Sequence, residues 1–211
     1  MSQLKLTADG GGGTVAIKGP ASTTGNNAFE LTVPGTASGT ILTSNSSVGK
    51  ILQVKQGGRN DTASQSTGSR SHWDGANIQV SITPASASSK ILILANTCYT
   101  TSNAVNNNPV VLQKKTGSGS FANITAANGA DDGNRVEVMT SIFQTNAYHI
   151  SPQSFNYLDT AGSTDELTYR VIYYNVSGYT RTVYINRFHS ESNDTSTVRG
   201  SSWIQVMEVA A

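Results

Sequence analysis

The chain has 211 residues and a formal net charge of +1, enough for one or two domains with a core of their own. Only 13% of its residues are charged, about half the usual quarter, and it lacks the basic stripe with which a nucleic-acid binder displaces counterions. No apolar run approaches the ~18 residues that span a membrane, and the opening Met1-Ser2-Gln3-Leu4-Lys5-Leu6 lacks the apolar core of a signal peptide.

Ser, Thr and Asn number 27, 25 and 18, a third of the chain. Disorder usually comes with high net charge and few β-branched or aromatic residues. Here the charge is near zero, and eight Tyr, five Phe and two Trp accompany many Val, Ile and Thr. The composition therefore predicts an all-β, loop-rich fold.

In chain order, a first region covers residues 1–47. Its short alternating runs are Leu4–Leu6, Val15–Ile17, Phe29–Val33 and Ile41–Leu42, separated by turn residues. Gly10, Gly11, Gly12 and Gly13 stand between the first two runs. Gly11, Gly13 and Ala16 fit the spacing of a dinucleotide-binding loop, but a strand-like Thr14–Lys18 follows where that loop needs a helix. Each run offers two or three apolar side chains, too few for a lone hairpin in water. Val15, Ile17, Phe29, Leu31 and Val33 are therefore expected to bury against symmetry mates, a larger assembly or the second region.

The second region, residues 48–211, reads as a compact β-sandwich or jelly roll. Strands are expected at Lys50–Lys55, Asn77–Thr83, Lys90–Cys98, Val110–Lys115, Arg135–Phe143, Tyr148–Tyr157, Glu166–Asn175, Arg181–Arg187 and Ser202–Val209. Leu167, Tyr169, Val171 and Tyr173 alternate with Thr168, Arg170 and Ile172. In the last run Trp203, Gln205 and Met207 oppose Ile204, Val206 and Glu208. No sustained 3.6-residue period predicts a helix. The single cysteine, Cys98, ends an apolar run and reads as a buried thiol in a chain folded in a reducing cytoplasm.

No chemistry-bearing pattern emerges. His72, His149 and His189 are scattered, whereas zinc needs three or four clustered ligands. Asp131-Asp132-Gly133-Asn134 lacks the alternating oxygens of a calcium loop and reads as a tight turn. No G-x-S-x-G elbow is present. The expectation is no catalytic residue, no metal and no cofactor. His72, Trp73 and Tyr179 sit in polar turn regions, where an aromatic with one polar edge suits contact with a protein or a glycan; the bland reading puts Trp73 under its own loop.

The opening "LKLTADGGGGTVAIKGPASTTGNNAFELTVPG" resembles that of virion structural and tail-fibre-like proteins of marine tailed phages, cyanophages among them. "FNYLDTAGSTDELTYRVIYYN", "VYINR" and the ending "SSWIQVMEVAA" look like the terminal strands of the same group. The resemblance covers the first 45 residues and roughly the last 65. It implies a homotrimer on the virion surface, with a thin N-terminal stem or attachment segment and a jelly-roll-like head. It implies no catalytic residues. Gly10–Gly13 would then let three backbones approach a common axis, or turn with positive φ. Expected partners are copies of the chain, capsid or tail proteins, and a host surface glycan or protein. Capsid decoration, as a head fibre or cement protein, and a monomeric carbohydrate-binding module are the alternatives.

Overall fold

The structure, a computed structural model, describes residues 3–7, 14–18, 50–102, 106–130, 132–145, 150, 152–195 and 197–211. The chain divides into two compact units, Met1–Thr43 and Ser44–Ala211. In the first, β1 (Gln3–Thr7) and β2 (Thr14–Lys18) form an antiparallel pair running from Gln3↔Lys18 to Thr7↔Thr14. Gly10–Gly13 and the expected runs Phe29–Val33 and Ile41–Leu42 lie outside the described residues.

The second unit is all-β, and no helix occurs among the described residues. Its strands are β3 (Ile51–Arg59), β4 (Ala63–Thr67), β5 (His72–Trp73), β6 (Gln79–Ile82), β7 (Lys90–Thr101), β8 (Asn106–Thr116), β9 (Ala122–Asn123), β10 (Thr140–Gln144), β11 (Pro152–Thr160), β12 (Leu167–Tyr174), β13 (Arg181–Ile185) and β14 (Ser202–Val209). They form two antiparallel six-stranded sheets in a sandwich-like arrangement. One runs β3-β14-β7-β13-β4, with β11 on the other edge of β7; the other runs β10-β8-β12-β5, with β6 also on β12 and β9 on β8.

Alternation sets the core. Ile91, Ile93 and Ala95 of β7, Ile204 and Val206 of β14, Val110 and Leu112 of β8, and Leu167, Tyr169, Val171 and Tyr173 of β12 are all buried. Burial of each large apolar side chain is worth about 1.5–3 kcal/mol. The expected alternation of β12 breaks at two points, and Thr168 is buried as well as Ile172. Ile172, on the face opposite Val171, lies beside its cross-strand partner Val111.

The long central strands outrun their partners, and polar side chains fill the junctions. β7 pairs with β14 over Lys90–Asn96 and then with β13 over Tyr99–Thr101. Between the two, the Cys98 N–H donates to Ser202 Oγ at 2.9 Å, and Ser202 Oγ donates to Asn186 Oδ1 at 2.7 Å. On the other edge of β7, beyond β11, Gln144 receives the Thr101 N–H at 2.9 Å and donates to the Thr101 carbonyl at 3.1 Å. Asn128 does the same on β8. Its Oδ1 accepts the Leu112 N–H at 3.1 Å, and its Nδ2 donates to the Leu112 carbonyl at 3.0 Å. A carboxamide carries one acceptor and a donor pair in the arrangement of a peptide group, so it can replace one residue of a partner strand.

Several strand bounds differ from expectation. The strand expected at Arg135–Phe143 begins at Thr140. The turn before it is present: the Arg135 N–H donates to the Asp132 carbonyl, and Gly133 has φ 66°. The strand expected at Tyr148–Tyr157 lies at Pro152–Thr160. β4, β5 and β9 were not expected from the sequence.

Candidate interaction surface

Of the three residues expected at a contact surface, His72 and Tyr179 are exposed and Trp73 is not. Trp73 is 2% exposed, its indole edge-on to Tyr99 with ring centroids 5.8 Å apart, and Tyr99 continues to Tyr173 at 5.6 Å. The cause of this correction is the pairing of β5 with β12, Tyr173↔Trp73 and Tyr174↔His72. Alternation turns the indole inward and the imidazole outward. His72 stands edge-on to Tyr174, with centroids 4.9 Å apart. Partial burial, reinforced by the Arg170 charge and opposed by Asp74, lowers its pKa, so the imidazole is neutral at pH 7. Tyr179 ends a tight loop tied down by Asn175, whose Nδ2 donates to the carbonyls of Thr67, Gly68 and Tyr179. Val15 and Ile17 lie on β2, whereas Phe29, Leu31 and Val33 lie outside the described residues.

Several ionisable groups of the second unit are tied into its frame. Lys114 Nζ lies 2.7 Å from Asp159 Oδ2, which also accepts the Tyr169 hydroxyl at 2.8 Å. This network joins β8 and β12 to β11 across the two sheets. Burial, helped by Asp159, drives the Tyr169 pKa far up, so the phenol stays a donor. Glu208 is buried on β14. Burial alone would raise its pKa. Hydrogen bonds from Gln53 Nε2 at 2.6 Å and the Ala85 N–H at 2.7 Å hold it below the ordinary glutamate value. Burial pushes the Cys98 thiol up, which makes it a poor nucleophile. Among the described residues no three His, Cys, Asp or Glu side chains gather as a metal site would require.

A hollow of about 380 Å³ lies beside Tyr174, lined by Arg70, Pro109, Arg135, Val136 and Val138 among others. Val136 and Val138, which the sequence suggested as strand residues, instead help to wall it.

The outer face of the sheet β3-β14-β7-β11 was not expected as a site. Cross-strand register places its outward side chains in three rows. The first is Val54–Met207–Leu92–Leu158, the second Gln56–Gln205–Leu94–Asn156, and the third Gly58–Trp203–Asn96–Ser154. None carries a charge. Val54 is 48% exposed, Leu158 55% and the neighbouring Leu52 40%. Met207, Leu92, Leu94 and Trp203 are partly buried by their neighbours on the same face. Hollows of about 340 and 240 Å³ flank Trp203 on this face. The first row is apolar throughout, and exposed apolar side chains gathered in this way make the face a candidate contact surface. The sequence held a signal for it: Ile91-Leu92-Ile93-Leu94 is apolar at every position, which makes both faces of β7 apolar.

No protein-family model matches the sequence, and no curated protein shows significant similarity to it.

Proposed function

We propose that this chain is a non-enzymatic structural protein on the surface of a tailed-phage virion. In this reading it is a homotrimeric fibre or appendage involved in host attachment. Residues 1–47 act as the stem or attachment segment, and residues 48–211 form a jelly-roll-like head. The observation that carries the reading is the uncharged outer face of the β3-β14-β7-β11 sheet, with its apolar row Val54–Met207–Leu92–Leu158, a surface suited to a component that works by assembling. The resemblance of the two chain ends to phage fibre-like proteins supplies the setting. Capsid decoration would use the same face and stem, with the head of the particle as its support.

A second reading, binding of a surface glycan, is favoured by the mixed polar and apolar hollow beside Tyr174. Its two arginines, two asparagines and three valines offer both hydrogen bonds and an apolar floor to a sugar ring. The two readings are compatible if the head carries the host contact.

The test is localisation. Antibodies raised against residues 48–211 are expected to label the outside of intact particles made by the phage that encodes the chain. Particles that contain no copy of it overturn the reading.

A further inference from the structure

We infer that the hollow beside Tyr174 takes an acidic sugar, a pyranose ring that carries a carboxylate, and that Arg70 and Arg135 hold that carboxylate. The inference rests on the glycan reading above and names the chemical class of its ligand.

The topology builds this site from both edges of one sheet. In the order β10-β8-β12-β5, Pro109 of β8 and Tyr174 of β12 lie on the two middle strands. Their chain neighbours Val110 and Tyr173 are cross-strand partners buried in the core. Alternation therefore turns Pro109 and Tyr174 to the outer face, where both line the hollow. Arg70 arrives from the turn ahead of β5 at one edge, and Arg135 from the loop ahead of β10 at the other. Floor and wall are held in place. His72 stands edge-on to the Tyr174 ring, with centroids 4.9 Å apart. The Arg135 loop is pinned where the Val138 carbonyl accepts the Gly129 N–H at 3.0 Å and the Met139 N–H donates to the Val110 carbonyl at 2.8 Å.

Charge selects the sign of the ligand. Among the described residues the lining contains two arginines and no acidic side chain. Among the same residues Arg70 has no ion-pair partner. Arg135 pairs with Asp132, but the two side chains are 76% and 74% exposed, and an ion pair so open to water contributes little. Its guanidinium can exchange that carboxylate for a ligand's. An arginine fork binds a carboxylate through two parallel hydrogen bonds.

Backbone geometry singles out Arg70. Its φ is 50°, in the left-handed region that disfavours a residue with a Cβ and that glycine enters freely. The turn is tied down by the Arg70 N–H to the Ser177 carbonyl at 3.3 Å and by Ser71 Oγ to the Gly68 carbonyl at 2.7 Å. A turn that needed only its backbone would be better served by glycine. Such strain collects at ligand clamps, and here it sits beneath a guanidinium at the rim of a hollow.

Volume speaks for a sugar over a bare anion. The hollow's 380 Å³ falls in the range of small-molecule sites, about 300–1,000 Å³, and a lone carboxylate or sulfate would leave most of it unfilled. Tyr174, Pro109 and the valines offer an apolar floor to the C–H face of a ring, and the two asparagines serve its hydroxyls. A chain with a net charge of +1 offers no basic stripe to a nucleic-acid backbone.

Isothermal titration calorimetry of the full-length chain tests this. The probes are trimers of galacturonate, glucuronate and mannuronate, their uncharged methyl esters, and sulfated neutral trisaccharides. At least one oligouronate is expected to bind, and its methyl ester to bind about tenfold more weakly. Arg70→Gly is expected to lower that affinity about tenfold while its melting temperature stays level or rises, because glycine relieves the left-handed turn. Arg135→Gln, at an exposed position, is expected to weaken binding likewise. Lys55→Gln, which removes one exposed charge from β3 in the other sheet, is expected to bind as wild type does. Four results overturn this inference alone: an ester that binds as well as its acid, a sulfated sugar that outbinds every oligouronate, wild-type affinity in Arg70→Gly, or an equal loss in Lys55→Gln. Absence of binding by all of these sugars overturns the glycan reading with it.

Discussion

Asn128 holds a gap in the β8 edge closed, and its replacement separates hydrogen bonding from packing. Its side chain is 5% exposed and meets Leu112, which is fully buried. In Asn128→Ala the Leu112 N–H loses its 3.1 Å acceptor. The Leu112 carbonyl keeps only the Ile124 N–H at 3.1 Å. An orphaned buried donor costs about 1–3 kcal/mol, and each lost hydrogen bond about 1 kcal/mol. The expected loss is about 2–4 kcal/mol in urea unfolding with an unchanged m-value, or about 5–15 °C in melting temperature for a domain of this size. Asn128→Asp sharpens the test. One carboxylate oxygen still accepts the Leu112 N–H, but the other replaces Nδ2 and faces the carbonyls of Leu112 and Ile124, both 3.0 Å from that nitrogen. At pH 7 this variant is therefore expected to be less stable than Asn128→Ala. Burial and the two carbonyls raise the aspartate's folded pKa above its unfolded value of about 3.9, so it binds its proton more tightly folded than unfolded, and its deficit shrinks as pH falls toward that value. An alanine variant within about 0.5 kcal/mol of wild type, or an aspartate variant milder than alanine at pH 7, would refute the reasoning.

Gly57→Ala is expected to destabilise the head by about 2 kcal/mol or more, because its Cβ would lie 2.0 Å from the Gln79 carbonyl oxygen; a neutral result in the same urea titration contradicts the close crossing of β3 and β6. Glu208 titrates in the opposite sense to the engineered aspartate. Its folded pKa is lowered, so its contribution is complete above the unfolded value of about 4.3 and is lost as pH falls through the folded one. Wild type is therefore expected to lose stability between about pH 5 and pH 3 more steeply than Glu208→Gln, and parallel pH profiles would rule out that role. Deleting residues 1–47 is expected to leave the circular dichroism and cooperative melting of the head intact while abolishing incorporation into particles; normal copy number in particles would place attachment elsewhere.

The strands whose two faces meet different surroundings were legible in the sequence. Ile204, Val206 and Glu208 face inward on β14, and Trp203, Gln205 and Met207 outward, as their alternation requires. β4 was illegible because Ala63-Ser64-Gln65-Ser66-Thr67 pairs with β13 through its backbone, and its polar side chains carry no hydrophobic signal. Val136 and Val138 misled for the converse reason. They alternate like strand residues but wall a surface hollow instead. Asn128, Gln144 and Asn186 hold the sheet junctions, yet in a chain with 18 Asn nothing local distinguishes them from loop residues. Trp73 followed the bland expectation, since two residues of pairing with β12 suffice to turn a large aromatic into the core.

The apolar face was half legible. The run Ile91-Leu92-Ile93-Leu94 announces a strand with two apolar faces, but only register shows that Leu92 lines up with Met207, Val54 and Leu158. Cross-strand alignment of this kind depends on which strands are neighbours, and β3 and β11 lie about a hundred residues apart in the chain.

Sedimentation equilibrium of the purified full-length chain at micromolar concentration tests the central claim, that this protein works as an assembly, most directly. The account predicts a single species of about 66 kDa, three times the chain mass of 22.1 kDa. A stable species of 22.1 kDa across that range would contradict it.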